Sequence, residues 1–328
     1  MHLVFTKNKS MRIIFLLLFP LFLAACSVAQ KTVTVSEKTH SGVEIIVLGT
    51  IQDAGSPHIA CKKGCCADLF EHPDPTRKVV SLGLIDHENE KNWIFEATPD
   101  LPTQIKILKN QSLFSEKETP DGIFLTHAHI GHYAGLMFLG REAMNAQKVP
   151  VYAMPRMKNY LETNGPWSQL VGLQNISLQA TQEDASIVLS PTLKVVPYKV
   201  PHRDEYSETV GYIIEGPTKK VLFIPDIDKW KKWEKDIINV VSSVDYAFLD
   251  ATFYDASEIN NRDISTIPHP FVIESMDLFK NLPVKEKNKI YFIHFNHTNP
   301  LINPNSEQAK KVIENGFHIA KFKEILKL

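Results

Sequence analysis

The chain has 328 residues, 44% of them hydrophobic and 22% charged, which excludes a disordered protein and supplies enough apolar material for a substantial core. Lys and Arg (36) nearly cancel Asp and Glu (37), leaving a net charge of −1, so no global field points to nucleic acid or an anionic surface as a partner.

The amino terminus stands apart from the rest. Lys7, Lys9 and Arg12 lead into an apolar run from Ile13 to Ala25 that is broken by Pro20 and is short for a membrane-spanning helix. Residues 1–25 therefore read as an export signal, and translation starting at Met11 would leave that signal intact. Leu23-Ala24-Ala25-Cys26 resembles the bacterial lipoprotein box, in which cleavage before the cysteine leaves Cys26 as a lipid-bearing first residue. The alternative is an ordinary secretory signal with an incidental cysteine. Residues 26–42 are polar and suit a tether. Together these features predict an exported bacterial lipoprotein, held to a membrane through Cys26 and facing the periplasm or the cell surface.

From Gly42 onward short apolar runs alternate with helix-period segments, the pattern of an α/β body. Strands are predicted at 43–48, 79–85, 93–96, 122–125, 193–200, 209–214, 220–224, 246–249 and 289–293, and helices at 134–146, 229–241, 271–279 and 305–314. The second of these helices would carry Trp230 and Trp233 as packing residues. No repeat and no Pro/Gly-rich break divides the body, which is expected to be one domain over 43–328.

Between the fourth predicted strand and the first predicted helix lies Thr126-His127-Ala128-His129-Ile130-Gly131-His132. Two imidazoles at i and i+2 on a strand end share a side, and a turn through Gly131 can swing a third toward the same point. Convergence of neutral imidazoles suits zinc, iron or manganese; the alternative is three polar residues in a solvated loop. Further candidate ligands follow other strands: His202 after Val200-Pro201, Asp226 after Ile224-Pro225, Asp250 after Leu249, and His294 after Ile293. His58 in the loop before the cysteines and His269 between Pro268 and Pro270 are candidates for a pocket wall or for plain structural positions.

With Leu48-Gly49-Thr50, Glu96-Ala97-Thr98-Pro99-Asp100, the histidine run through Leu136, Pro201-His202, Pro225-Asp226, Leu249 to Phe253 and His294 to Pro300, the chain resembles the metallo-β-lactamase superfamily. It looks most like the coenzyme PQQ synthesis protein B branch and the neighbouring phosphodiesterase-like members. The resemblance implies a four-layer αββα sandwich of two sheets. It also implies one metal held by His127, His129 and His202, with Asp226 bridging to a second metal held by His132 and His294, and Glu96 orienting a ligand histidine from behind. Glu96 could equally be a strand-end surface carboxylate. The superfamily motif has Asp before its last histidine, where this chain has Gly131; losing that anionic ligand should weaken the second site and leaves a single-metal enzyme or a degenerate site as alternatives.

Once Cys26 is assigned to lipid, Cys61, Cys65 and Cys66 are an odd number that cannot all pair, and adjacent Cys65 and Cys66 are poorly placed to bridge each other. The related families carry a structural zinc beside the active site, which implies a three-thiolate site completed here by His297; one disulfide plus a free thiol is the alternative. The expected activity is a metal-dependent hydrolase that activates a metal-bound water against an ester, phosphodiester or amide-type bond of a small molecule or peptide. In it one or two divalent ions, most simply zinc with iron or manganese as alternatives, act with Asp226 orienting the nucleophile and His269 donating a proton. Two rivals are an iron-dependent hydroxylase like the PQQ synthesis relatives and a catalytically degenerate metal-binding lipoprotein.

Overall fold

A strand that is apolar on both faces, such as Val43-Glu44-Ile45-Ile46-Val47-Leu48-Gly49, is stable only between two other layers. The computed structural model places it there. It describes residues 41–114, 116–260 and 262–328; the predicted export signal, Cys26 and all but the last residues of the tether lie outside these. Residues 40–328 form one compact unit.

The first sheet contains β1 (Val43–Gly49), β2 (Ser81–Asp86), β3 (Lys91–Phe95), β4 (Gly122–Phe124), β5 (Val149–Ala153) and β6 (Ile176–Ala180). The second contains β7 (Ile187–Ser190), β8 (Leu193–Lys199), β9 (Val210–Glu215), β10 (Lys220–Ile224), β11 (Tyr246–Asp250), β12 (Ile290–Ile293) and β13 (His318–Ile319). The last strand, β14 (Ile325–Lys327), returns to the first sheet beside β1, giving spatial orders β14-β1-β2-β3-β4-β5-β6 and β13-β12-β11-β10-β9-β8-β7. Among the described residues the helices are α1 (Gly64–Ala67), α2 (Leu101–Ser112), α3 (Ile130–Tyr133), α4 (Pro155–Thr163), α5 (Trp167–Gly172), α6 (Ile237–Ser242), α7 (Val272–Leu278), α8 (Val284–Lys287) and α9 (Glu307–Glu314).

The period-2 alternation of side chains assigns the layers. Val43, Ile45 and Val47 of β1 pack between the sheets with Phe95, Phe124, Tyr212, Phe223 and Phe248, whereas Ile46 and Leu48 face outward onto Leu101 and Leu108 of α2. On the far side Leu222, Leu249 and Phe292 pack against Ile237 and Val241 of α6, Val272 of α7 and Val312 of α9. The result is the four-layer αββα sandwich. Inside it Phe95 and Phe124 stack at 4.9 Å and meet the Tyr212 ring edge-on at 5.4 and 5.6 Å. Truncating a ring at the centre of such a cluster costs about 3–5 kcal/mol.

Strand direction decides where the site lies. β1 and β3 are each antiparallel to β2, and β4 is parallel to β3, so these three carboxyl ends share one edge. β8 and β10 are each antiparallel to β9, and β11 and β12 run parallel to β10, so four more carboxyl ends share an edge of the second sheet. The two edges are tied together: the Tyr212 hydroxyl donates to the Leu125 carbonyl, and Val210 N–H donates to Thr126 O at 3.1 Å.

Several predicted elements change form. The expected helix over 229–241 is broken: Trp230–Lys232 make a 3-10 turn, and α6 starts afresh where the Asp236 carboxylate accepts from Ile238 N–H. The two tryptophans are buried as expected but not on one helix; Trp230 Nε1 donates to Ser275 Oγ at 2.9 Å and Trp233 Nε1 to Lys199 O at 2.8 Å, partners that pull them apart. The segment over 134–146 is a 3-10 helix only from Ala134 to Leu139, because Gly135 is drawn against the Ala97 carbonyl by a 2.8 Å hydrogen bond and Gly140 follows at its end. The stretch from Pro155 to Ala185, which carried no predicted element, folds as α4, α5 and β6.

Candidate metal centre

β4 ends at Phe124, and its continuation is fixed on both sides of the first histidine: Leu125 N–H donates to Tyr152 O at 3.1 Å and Ala128 N–H donates to Ser207 Oγ at 2.8 Å. His127 and His129 then point to one side, α3 supplies His132 a turn later, and β8 and β10 deliver His202 and Asp226 to the same place. Asp226 Oδ2 lies 3.2 Å from His202 Nε2, 3.4 Å from His127 Nε2, 3.8 Å from His132 Nε2 and 3.9 Å from His129 Nδ1. His127, His129, His202 and Asp226 each offer one ligand atom within 4.8 Å of all the others.

The second group is differently composed. Asp226, Asp250, His269 and His294 form another set within 4.8 Å, while His132 stays outside it, with its ring 5.5 Å from that of His294. His269, expected as a proton donor, is clamped between two carboxylates: its Nδ1 lies 2.9 Å from Asp250 Oδ2 and 3.1 Å from Asp226 Oδ1. Asp250, expected as a candidate strand-end ligand, is already well supplied. Its oxygens accept from Ile227 N–H, Thr252 N–H and the Thr252 hydroxyl at 3.1, 2.9 and 2.7 Å. That saturation suits an orienting group better than a ligand.

Proton counting fixes the His294 imidazole. The Thr252 hydroxyl has one proton, which goes to Asp250; at 2.8 Å from His294 Nδ1 it must therefore accept, leaving His294 Nε2 as the bare lone pair. His127 Nδ1 stands 2.9 Å from the Thr126 hydroxyl and His132 Nδ1 stands 3.3 Å from Glu96 Oε1. Glu96 is fully buried and faces His132. Meanwhile Nε2 of His127, His132 and His294 are buried without hydrogen-bond partners. Buried polar atoms are rarely left so, and bare imidazole nitrogens grouped about Asp226 are what divalent cations would satisfy.

The charges agree. Burial alone would raise the Asp226 carboxyl, but the imidazoles of His269 and His202, with contacts from His127 and His129, hold it well below the carboxylate range. Burial also opposes charge on His132, yet Glu96 foremost, then Asp53 and Asp226, lift it to about 9. His127 is pushed well below its usual value by burial and by the neighbouring His132. Three residues at the site hold left-handed backbones that side chains ordinarily avoid: Glu96 at φ 78°, His269 at 98° and His294 at 69°. Such conformations persist where the surrounding structure demands them, and they gather at functional sites.

The cysteines lie nearby in sequence to β1 and in space to the loop after β12. Cys61, Cys65, Cys66 and His297 each place a ligand atom within 4.8 Å of the others, and the three cysteines are not in disulfides. Sγ–Sγ separations are 3.8 Å for Cys61 and Cys65 and 4.0 Å for Cys65 and Cys66. Burial and the neighbouring Cys61 thiol push Cys65 up to about 12, whereas burial and His58 push His297 down to about 4, so its imidazole is neutral. His58 itself packs its ring 4.6 Å from that of His297.

A family model described as the beta-lactamase superfamily domain matches residues 91–295. The chain belongs to the β-lactamase superfamily. Within it, the chain is 24% identical over 301 residues to coenzyme PQQ synthesis protein B of Methylorubrum extorquens, covering 85% of this chain and 97% of that one. It is 24% identical over 304 residues to the protein of the same name from Klebsiella pneumoniae, covering 84% and 95%. In fold it is similar to zinc-bound PqqB from Methylobacterium extorquens (TM-score 0.69, 20% identity, 87% of this chain and 100% of that one). It is similar also to a diphosphatase of the PhnP family (TM-score 0.61, 21% identity, 87% and 96%). This member of the superfamily is thus a metallo-β-lactamase-fold protein of hydrolase-like type on the PQQ synthesis protein B-like branch, and its His/Asp cluster fits a divalent metal.

Proposed function

We propose that the chain is an exported metal-dependent hydrolase acting on an ester, phosphodiester or amide-type bond of a small molecule or peptide. The observation that carries this reading is the single carboxylate oxygen Asp226 Oδ2 faced by four imidazoles. His127, His129 and His202, with Asp226, would hold a divalent ion, with zinc the simplest choice and iron or manganese the alternatives. A bound divalent ion supplies Lewis acidity that makes water nucleophilic near neutral pH and polarises the oxygen under attack.

The protein's own groups do the rest. Asp226 Oδ1, with His269 Nδ1 3.1 Å away, is the base-like atom that would orient the attacking water. His269 shares its Nδ1 with Asp226 and Asp250, so Nε2 is the atom from which a proton can reach a leaving group; burial disfavours its charge, but in the metal-free protein Asp250 and Asp226 lift it to about 10. Glu205, 3.4 Å from His129 Nε2, lies beside the site and would contact the substrate.

The cysteine cluster with His297 is read as a structural zinc site that fastens the loop after β1 to the loop after β12. Export and lipid anchoring rest on the segment ending at Cys26. A second reading, iron-dependent hydroxylation, draws on the similarity to PQQ synthesis protein B.

Chelator-stripped protein reloaded with zinc, manganese or iron, assayed against phosphodiester, lactone, lactam and thioester substrates, tests the proposal. Hydrolysis that requires the metal and is lost in His129→Ala is the expected result. Iron-specific, oxygen-dependent turnover would favour the hydroxylase, and no turnover of any of these substrates would remove the hydrolase reading.

A further inference from the structure

At Gly131 the histidine motif lacks the carboxylate its superfamily carries there, and another residue takes up the space. A Cβ built on Gly131 would lie 1.8 Å from Asp53 Cβ and 2.3 Å from Asp53 Cα, so only glycine admits the Asp53 backbone. The segment bearing Asp53 is fastened to the strand end that carries His294. Phe295 N–H donates to Thr50 O and Gln52 N–H donates to Phe295 O, both at 2.8 Å, and Ile51 bridges Phe295 and Val79. Asp53 is thus packed on the residue before His132 and sits one residue beyond a backbone bond to the residue after His294. Both histidines present a buried, unpartnered Nε2. The Gln52 side-chain amide donates to Asp53 Oδ1, and Asp53 is half-buried.

Charge makes this placement consequential. With Gly131, two divalent ions would share one carboxylate, Asp226, among neutral imidazoles. Asp250 is poorly suited to supply the second, since its oxygens already accept from Ile227, Thr252 and His269.

We propose that Asp53 replaces in space the carboxylate missing at Gly131 and acts, with His132, Asp226 and His294, as the anionic ligand of a second divalent ion. This rests on the reading of His127, His129, His202 and Asp226 as the first site. On it the motif has moved its acid from the turn at 131 to the loop after β1, and the glycine is what makes room.

The test is Mn2+ loading of the metal-free full-length chain, followed by equilibrium dialysis and electron paramagnetic resonance, for the wild type, D53N, D53A, D53E and H129A. The expected wild type binds two ions with an exchange-coupled spectrum. D53N and D53A should bind one ion with an uncoupled six-line spectrum, the second ion weakened roughly 10–100-fold, and D53E should recover part of the loss. Metal-free melting temperatures equal to wild type show that the fold is not the cause. Two coupled ions in D53N, or a single ion in the wild type, overturns the role of Asp53 while leaving a one-metal hydrolase standing. Unchanged loading in H129A sinks the first site and this inference with it.

Discussion

The hydroxyl of Thr252 lies 2.8 Å from Nδ1 of His294, and because its only proton goes to Asp250 it fixes which nitrogen of that histidine faces the metal gap. Thr252→Val removes the acceptor while keeping the shape. Metal affinity at the site containing His294 should fall roughly 10–100-fold, read by competition dialysis, with little change in secondary structure.

Gly131→Ala places a methyl group inside the backbone of Asp53. Neither partner is a flexible side-chain end, so the 50–53 loop must move; urea unfolding should show a loss of about 1–3 kcal/mol or more, and a wild-type midpoint would contradict the close approach.

Metal-free protein should respond to pH through His132. Its imidazole is raised from 6.5 to about 9, with Glu96 the largest favourable cause. The pairing therefore stabilises fully below about pH 6.5 and is lost as pH rises through about 9, a change of up to about 3 kcal/mol. Glu96→Gln should flatten the melting temperature across that window, and metal loading, which needs the neutral imidazole, should do the same.

At the cysteine cluster the sign is opposite for binding. Cys65 is pushed up to about 12, and Cys66 is also raised, so both thiols are protonated near neutral pH until a metal displaces those protons. Zinc affinity should rise with pH, and calorimetry in buffers of different ionisation enthalpy should register proton release. Cys65→Ser should lower zinc content by about one equivalent and reduce thermal stability.

Asp226→Asn removes the only carboxylate shared by the two ligand groups. Bound divalent metal should be lost from both, and hydrolysis with it. Because the buried imidazoles lose their counter-charge, the metal-free fold should weaken by about 1–3 kcal/mol, measured by denaturant titration.

What the sequence determined by itself was mostly local. The apolar pattern placed nine strands within a few residues of their positions, because period-2 burial is written in composition: β10 matches residue for residue, and β1 and β12 each differ by one residue at one end. Strand-end positions exposed His127, His129, His202, Asp226 and His294 as candidates, since a ligand at a strand terminus interrupts an apolar run. Short edge strands such as β13 and β14, and the helices α4 and α5, left little signal because their burial is partial and their partners are distant in sequence. Only tertiary structure could show that Asp250 and Thr252 orient His269 and His294, or that Asp53 lies against Gly131. Those relations depend on strands from two sheets ending at one edge, a consequence of strand direction and crossover that no stretch of the chain encodes alone.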